Sequence, residues 1–517
     1  MARRGRGQGV SKLRDLLVGV QTIFHSGDLD TEIRSASLDS RKTGPGGLFF
    51  ALPGSSTDGN RFIRQAVSKG AAAIVSELKP PPAPVSLTRR DRPDRAVAWI
   101  QVKDIFDAMG AMASTQYQDP SADMTIIGVT GTNGKTTTTH FLESIFSRAG
   151  HPPGVLGTIG HRVRKRKFEE AINTTPFSLD VQRLLAHMRD QGVTHTAMEV
   201  SSHALATQRV DHVHFDAAVM TNFQTDHLDF HKDRDAYFEA KAHLFSLLER
   251  ADSAKSRRLA ILNRDDESWP KLRRRALDVT LKTYGAHEAA DYRIGGLATT
   301  PEATSFRLHT DKGEFACRLA ILGDYNAYNA AAAAATALEL GISPERVYEG
   351  LADLECVAGR LEKVDAGQGF LVVVDYAHTT DALASTLASL RAMPHRKLIS
   401  VFGCGGDRDR TKRGPMGVAA CEGSDLAIAT SDNPRNEEPM EILRDIERGI
   451  NEKTLENYRI IPDRRDAVFE AIKVAHEGDI VLIAGKGHET TQTLKEKTIH
   501  FDDRDIAHRA LKDLGRC

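Results

Sequence analysis

The 517-residue chain has few cysteines, almost no net charge and no long apolar run, and each shortage removes a class of protein. Its five cysteines, Cys317, Cys356, Cys404, Cys421 and Cys517, are scattered, odd in number and never spaced C-x-x-C. That pattern fits a reducing compartment and argues against a disulfide framework or a zinc site. Lys plus Arg (69) nearly cancel Asp plus Glu (70), so no global field draws the chain to nucleic acid or an anionic membrane, and only a local basic patch stays open. No segment is apolar over the length a bilayer requires, so no membrane insertion is expected. The most apolar-looking run, Ala330 to Ala335, is short and alanine-rich and reads as a buried or helix-favouring stretch. Arg3, Arg4 and Arg6 have no apolar core behind them, so Met1 to Leu17 is not expected to act as a secretory signal. There is no internal repeat, and a cytoplasmic location is the expectation.

The length suggests about three domains, each large enough to bury its own core. The Pro-rich Lys79 to Pro84 and the charged Arg89 to Arg95 read as a loop near the end of the first. Boundaries are expected near residues 110 and 356, giving units 1–110, 111–356 and 357–517. In the middle unit, strand-like runs end at Val129, Val200, Thr221 and Asn263, with helical patterns between most of them. In the last, the apolar runs Phe370 to Asp375, Leu398 to Phe402, Leu426 to Thr430 and Ile480 to Ala484 alternate with helical patterns around Asp381 to Ala392, Met440 to Ile450 and Asp466 to His476. That alternation predicts α/β units with parallel sheets. Ligands of such sheets gather beyond the carboxyl ends of the strands, and His378, Arg408, Asp432 to Arg435 and Lys486 to Glu489 all follow those ends.

The sharpest chemical signal is Gly128-Val-Thr-Gly-Thr-Asn-Gly-Lys-Thr136 between a strand and a helical pattern. Glycines let the loop turn its N–H groups onto phosphate oxygens, Lys135 adds charge at the outer phosphates, and Thr136 can ligate Mg²⁺. The spacing G-x-x-G-x-x-G-K-T departs from the standard phosphate-loop pattern, because Val129 stands where its first glycine falls. Two polar clusters follow later strands: Glu199-Val-Ser-Ser-His203, and Thr221-Asn-Phe-Gln-Thr-Asp-His-Leu-Asp-Phe-His231. Carboxylate, imidazole and hydroxyl groups at neighbouring strand ends can hold Mg²⁺ between a nucleotide and a second anion. Alone, each is also ordinary loop chemistry.

In this order, T-G-T-N-G-K-T, M-E-V-S-S-H and T-N-x-x-x-D-H-L-D-x-H resemble the Mur ligase family, from about Leu38 to the C-terminus. The resemblance implies three domains: an N-terminal α/β uridine-nucleotide-binding domain, a central phosphate-loop ATPase domain and a C-terminal Rossmann-like domain. It implies ATP contacts at Gly128, Thr130, Gly131, Thr132, Asn133, Gly134, Lys135, Thr136, Thr137, Asn326, Asn329 and Arg360. It also implies metal ligation by Glu199, His227 and a carbamylated Lys241, in Tyr237-Phe-Glu-Ala-Lys241, beside Thr136. For Asn326 and Asn329, in Gly323-Asp-Tyr-Asn-Ala-Tyr-Asn329, helix capping is the plain alternative.

Asp39-Ser40-Arg41 and Leu52-Pro-Gly-Ser-Ser-Thr-Asp-Gly59 resemble the family's uridine-nucleotide site, which implies roles for Ser40, Ser55 and Thr57. Asn173, Thr174, Thr175, Ser201, Thr207 and Arg209 match stretches that hold a muramyl-peptide substrate. Asp375-Tyr-Ala-His-Thr-Thr-Asp381, Gly403-Cys-Gly-Gly-Asp-Arg-Asp-Arg410, Ser431-Asp-Asn-Pro-Arg435 and Ala484-Gly-Lys-Gly-His-Glu489 resemble its diaminopimelate-adding members. An acceptor site of His378, Arg408, Asp432, Asn433, Pro434, Arg435, Gly485 and Glu489 follows. A guanidinium can fork onto the distal carboxylate of meso-diaminopimelate while Glu489 pairs with its ammonium. Lysine lacks that carboxylate, and lysine-adding relatives lack the arginine.

The expected reaction is ATP-dependent addition of meso-diaminopimelate to UDP-N-acetylmuramoyl-L-alanyl-D-glutamate through an acyl phosphate, in peptidoglycan precursor synthesis, by a monomer using Mg²⁺. A lysine-adding ligase, a folylpolyglutamate synthetase-like ligase and a non-catalytic nucleotide-gated module are the alternatives. Departures from the family pattern, Ala358 before Gly359-Arg360, Thr380 for a proline and Gly414 in a K-R-P run, are expected to alter turn stiffness more than chemistry.

Overall fold

The alternating runs condense into three principal sheets among the residues that the computed structural model describes: 10–54, 57–80, 96–226, 228–251, 253–275 and 278–516. Most of the expected Pro-rich and charged loop, 81–95, lies outside the described residues, as do Ser55, His227 and Cys517. The first sheet orders Thr22–Ser26, Ala98–Val102, Ala71–Ser76, Gly47–Phe50 and Ser35–Ser37, parallel except for its first pair. Ala71–Ser76 and Ala98–Val102 are buried along their whole length, as the inner strands of a covered parallel sheet must be.

The second sheet has Thr125–Thr130 at its heart, flanked by His195–Glu199 on one side and Ala217–Met220 on the other, all parallel. Pro153–Leu156 lies beyond the first flank, and Leu259–Asn263, Thr280–Gly285 and Tyr292–Thr299 beyond the second. Antiparallel additions extend both edges: the hairpin His161–Val163 with Arg166–Glu169, and Thr304–Thr310 with Gly313–Leu319. The register sets Glu199 beside Val129 and Met220 beside Thr130. The polar residues that follow these strands therefore emerge together at one carboxyl edge.

Ala330 to Ala335 are all fully buried within the helix Asp324–Glu339, as their composition predicts. Their small side chains let that helix pack closely against Lys135–Arg148, the helix that carries the phosphate loop. The third sheet orders Glu362–Lys363, Leu371–Asp375, Ile480–Ala484, Leu398–Cys404, Leu426–Ser431 and Tyr458–Ile460, parallel after its first pair. Its helix Pro439–Glu452 buries Ile442, Leu443, Ile446 and Ile450, a stripe at helical spacing.

Two departures from the family pattern find their places here. Thr380 is the first residue of the helix Thr380–Arg391, where proline would be favoured but is not needed, because the Thr379 side chain accepts from the Ala382 N–H and caps the helix. Gly414 is not in a turn, contrary to expectation. It lies in the helix Arg413–Gly423, and a Cβ at Gly449 of the facing helix would sit 2.3 Å from the Gly414 Cα. The glycine pair sets how closely these helices cross. Gly449→Ala is expected to lower stability by roughly 1–3 kcal/mol for overpacking, less the ~1 kcal/mol of helix propensity it regains. Denaturant midpoints measure this, and an unchanged midpoint would show that the crossing has slack.

Candidate functional site

The loop after Thr125–Thr130 is shaped by glycines at positions where a side chain would collide. Gly131 has φ 142° and a Cβ there would lie 1.8 Å from Thr221 Oγ1; Gly134 has φ 85° and its Cβ would lie 2.3 Å from Asn329 Oδ1. Residues after Ala217–Met220 pin the loop from the side. The Thr132 and Asn133 N–H groups donate to Asn222 O and Asn222 Oδ1, both at 2.9 Å, and Thr221 Oγ1 donates to Asn133 O at 2.6 Å. Lys135 Nζ donates to Gly131 O at 2.9 Å and Thr132 O at 3.0 Å. Burial pushes its ammonium below the ordinary lysine range, against the pull of Glu199 and Asp226.

Lys241 lies under the same loop. It is 1% exposed and its Nζ donates to Gly131 O at 2.8 Å, so two lysines converge on one carbonyl. Burial, and then the charge of Lys135, hold Lys241 well below the ordinary range, with Asp226 opposing. Burial, and then the charge of Lys412, hold His378 below the ordinary histidine range, with Asp226 among the groups that pull the other way.

Glu199, also buried, accepts from Thr136 Oγ1 at 2.9 Å, from the Thr158 N–H at 2.8 Å and from Thr158 Oγ1 at 3.1 Å. Thr158 Oγ1 in turn lies 3.1 Å from Thr174 Oγ1, whose hydroxyl can donate to it. Thr175 Oγ1 donates to Glu199 O at 2.9 Å and accepts from the Ser201 N–H at 3.0 Å. Arg209 reaches Thr175 O and Thr207 Oγ1, both at 2.9 Å, and stacks over Phe177. Thr174, Thr175, Ser201, Thr207 and Arg209 are thus one network against the phosphate loop, with Asn173 exposed beside it. Ser40 and Thr57 belong to the N-terminal unit; Ser40 Oγ donates to Gln65 Oε1 at 2.6 Å, and Thr57 is exposed.

Asn326 and Asn329 are within the helix Asp324–Glu339, whose N-cap is Gly323, so neither is a capping residue. Asn326 Nδ2 donates to Leu322 O, and Asn329 Nδ2 to Asn326 Oδ1, which leaves Asn329 Oδ1 facing Gly134. Arg360 crosses from the C-terminal unit: its Nη2 is 3.3 Å from Thr136 Oγ1, and its guanidinium lies 5.0 Å from the centre of the Tyr376 ring. Tyr376 also packs against the rings of His378 and His488. Burial, with Arg360 nearby, pushes His488 down to about 4.

Beyond the strand ends of the third sheet, Asn433 Nδ2 donates to Glu489 Oε2 at 2.9 Å, and Gln492 Nε2 to Asp432 O at 2.7 Å. Gly485 has φ 115°, and a Cβ there would press on Asp432 Oδ2. Arg435 holds φ 51°, and its Nη1 donates to Gly406 O at 2.8 Å. Among the described residues its Nε and Nη2 make no bond, so one fork edge is available to a carboxylate. Arg408 is exposed nearby.

The site thus brings together most of the residues read from the motifs. It adds Thr158, which no motif marks, and Lys486, fully buried beside Glu489. Among the described residues no three His, Cys, Asp or Glu side chains converge into a metal cluster, and none of their helices is long and apolar enough to cross a membrane.

Comparison with known proteins bears on the same three regions. The description "Mur ligase family, catalytic domain" matches residues 32–117, "Mur ligase middle domain" 129–337 and "Mur ligase, glutamate ligase domain" 359–487. The chain is 44% identical over 485 residues, 94% of each chain, to the UDP-N-acetylmuramoyl-L-alanyl-D-glutamate--2,6-diaminopimelate ligase of Solibacter usitatus. It is 42% identical to the enzyme of that name from Geobacillus thermodenitrificans, over 97% of this chain and 99% of the relative. A solved structure bearing the same name is 31% identical, with a TM-score of 0.68, covering 98% of this chain and 100% of the other.

Proposed function

The chain belongs to the Mur ligase family, and from that we propose that it adds meso-diaminopimelate to UDP-N-acetylmuramoyl-L-alanyl-D-glutamate at the expense of ATP. The observation that carries this reading is the position of Glu199. One buried carboxylate touches Thr136 of the phosphate loop and, through Thr158, the Thr174 segment assigned to the muramyl peptide. A nucleotide's outer phosphates and a second acid therefore have adjoining seats.

The three units, 1–110, 111–356 and 357–517, divide the work: the first holds the uridine nucleotide, with Ser40, Ser55 and Thr57; the second holds ATP and the acid; the third holds the acceptor. Lys135 exchanges its two loop carbonyls for the outer phosphates, which are stronger partners for an ammonium. The Thr136 hydroxyl and Glu199 carboxylate are hard oxygens 2.9 Å apart, a donor set that suits Mg²⁺, and His227 completes it by resemblance. Bound there, Mg²⁺ supplies positive charge between the nucleotide and the acid. Lys241 reads as a carbamate: burial favours its neutral amine, the form that adds CO₂ with loss of a proton and gains an anionic oxygen donor.

Arg209, Thr175 and Ser201 orient the γ-carboxylate of the D-glutamyl residue, whose oxygen attacks the γ-phosphorus of ATP; ADP leaves and an acyl phosphate forms. The acceptor amine attacks the acyl carbon, the carbon–oxygen bond to phosphate breaks, and the amine proton is released. Arg360, reaching Thr136 from the C-terminal unit, couples seating of the acceptor unit to the nucleotide loop. Little covalent help is needed from the protein, and positioning dominates.

Arg435 is the specificity element. Arg435→Ala is expected to raise KM for meso-diaminopimelate by about 30-fold or more while leaving KM for ATP unchanged, since one charge-assisted fork is lost. Equal losses for both substrates would remove Arg435 from the acceptor site. The overall reading is tested by supplying ATP, the UDP-muramyl dipeptide and one amino acid at a time, and weighing the product by mass spectrometry. A product heavier by a diaminopimelyl residue is expected, and a lysine adduct alone would transfer the chain to the lysine-adding branch.

A further inference from the structure

We propose that Lys486 is a positioning residue of the acceptor site, whose buried ammonium holds Glu489 and Asp432 as a preformed anionic seat for the acceptor's distal ammonium. This rests on the reading of that region as the amino-acid site and adds a residue to it. Lys486 is fully buried and lies two residues past the end of Ile480–Ala484. Its Nζ lies 3.0 Å from Glu489 Oε2, 3.1 Å from Asn433 Oδ1 and 3.7 Å from Asp432 Oδ1. A buried ammonium persists only where its donors are satisfied, and all three partners here belong to the motifs that line the acceptor crevice.

The bonding pattern indicates what this lysine does. Asn433 Nδ2 also donates to Glu489 Oε2, at 2.9 Å. Both donors thus take the same oxygen, and among the described residues Oε1 accepts nothing and is left for an incoming ammonium. Charge tells the same story. Arg464 is neutralised by Asp503 at 2.7 Å, so Asp432, Glu489 and Lys486 sum to one negative charge, which a single acceptor ammonium balances. Without Lys486 two carboxylates would share a buried pocket, which favours a shared proton and a seat that no longer attracts a cation. Among the described residues, the charged and titratable groups that face Glu489 include Lys486, Arg464, Tyr376 and His488, and Asp432, Arg360 and Arg408 share Tyr376 with it as a neighbour.

The test uses the full-length enzyme and three variants, Lys486→Met, Glu489→Gln and the double variant, assayed by phosphate release with meso-diaminopimelate and with L-lysine. Lys486→Met is expected to raise KM for the acceptor about a hundredfold, with KM for ATP and for the UDP-muramyl dipeptide unchanged. The acid limb of kcat/KM for the acceptor should move to higher pH, which a purely structural role would not produce. In the double variant KM should equal that of Glu489→Gln alone, because Lys486 acts through Glu489. Should Lys486→Met fail to fold, the double variant loses one charge of each sign and supports the same comparison. An unchanged KM in Lys486→Met, or a double variant about a hundredfold worse than Glu489→Gln, overturns the proposal while the functional reading stands. A wild-type enzyme inert towards both amino acids overturns both.

Discussion

Lys135→Ala is expected to abolish substrate-dependent ADP release, lowering turnover by about a thousandfold or more. Lys135 opens the helix Lys135–Arg148 directly after Gly134, and its ammonium hydrogen-bonds to two carbonyls of its own loop. Those bonds preorganise the ammonium at the loop's mouth. They are bonds to neutral acceptors, which phosphate oxygens outcompete. Loss of this charge removes stabilisation where phosphoryl transfer concentrates negative charge, so kcat falls and KM for ATP rises. The fold should survive, because the loop is pinned independently by Thr221 and Asn222. Turnover measured by phosphate release, with thermal unfolding as the control, decides it: undiminished turnover would take the loop out of the reaction.

Lys241→Met is expected to be comparably severe for catalysis and yet to stabilise the protein. Lys241 is 1% exposed, donates to the Gly131 carbonyl as its one hydrogen-bond partner among the described residues, and faces the like charge of Lys135. Its depressed affinity for protons means that the unfolded chain binds a proton the native state does not. Stability therefore rises with pH from the native titration up to the ordinary lysine range, and at neutral pH the residue is a burden. Methionine has similar volume without that burden, so in CO₂-free buffer the variant should melt higher than wild type near neutrality, with the gain shrinking as pH rises. A residue whose removal stabilises the fold while ending turnover is kept for chemistry. The same amine should take up ¹³C-labelled bicarbonate, giving a carbamate resonance that Lys241→Met lacks. A variant that melts lower at neutral pH and retains activity would return Lys241 to a packing role.

The parts of this site legible in the sequence are those where local chemistry and strand order coincide. A glycine loop between an apolar strand and a helix, polar clusters directly after other strands, and alternating runs in the last third all point to one carboxyl edge, where Lys135, Glu199 and Thr221 meet. Sequence reasoning failed where burial or long-range pairing decides. Lys486 is legible as a residue beyond a strand end, but not its burial among Asp432, Asn433 and Glu489. Thr158 is a single threonine without a motif, recruited by the pairing of Pro153–Leu156 with His195–Glu199. Asn326 and Asn329 look like caps because they precede an alanine run, but Gly323 starts the helix earlier. The antiparallel strands Thr304–Thr310 and Gly313–Leu319 carry a usable signal, the alternate apolar residues Phe306 and Leu308, then Phe315, Cys317 and Leu319, on either side of Asp311-Lys312. Gly414 shows the opposite failure: a residue assigned to a turn proves to be a helix contact that only its partner Gly449 explains.

Whether a phosphoryl group passes onto the D-glutamyl carboxylate is answered by labelling that carboxylate with ¹⁸O in the UDP-muramyl dipeptide, adding ATP and the acceptor, and weighing the inorganic phosphate released. One labelled oxygen per phosphate is expected, because the acid's own oxygen leaves with the phosphorus when the amine displaces it. Phosphate carrying no label while the amide product accumulates would mean that the acid is activated in some other way, and the seating of Glu199 between nucleotide and acid would need another explanation.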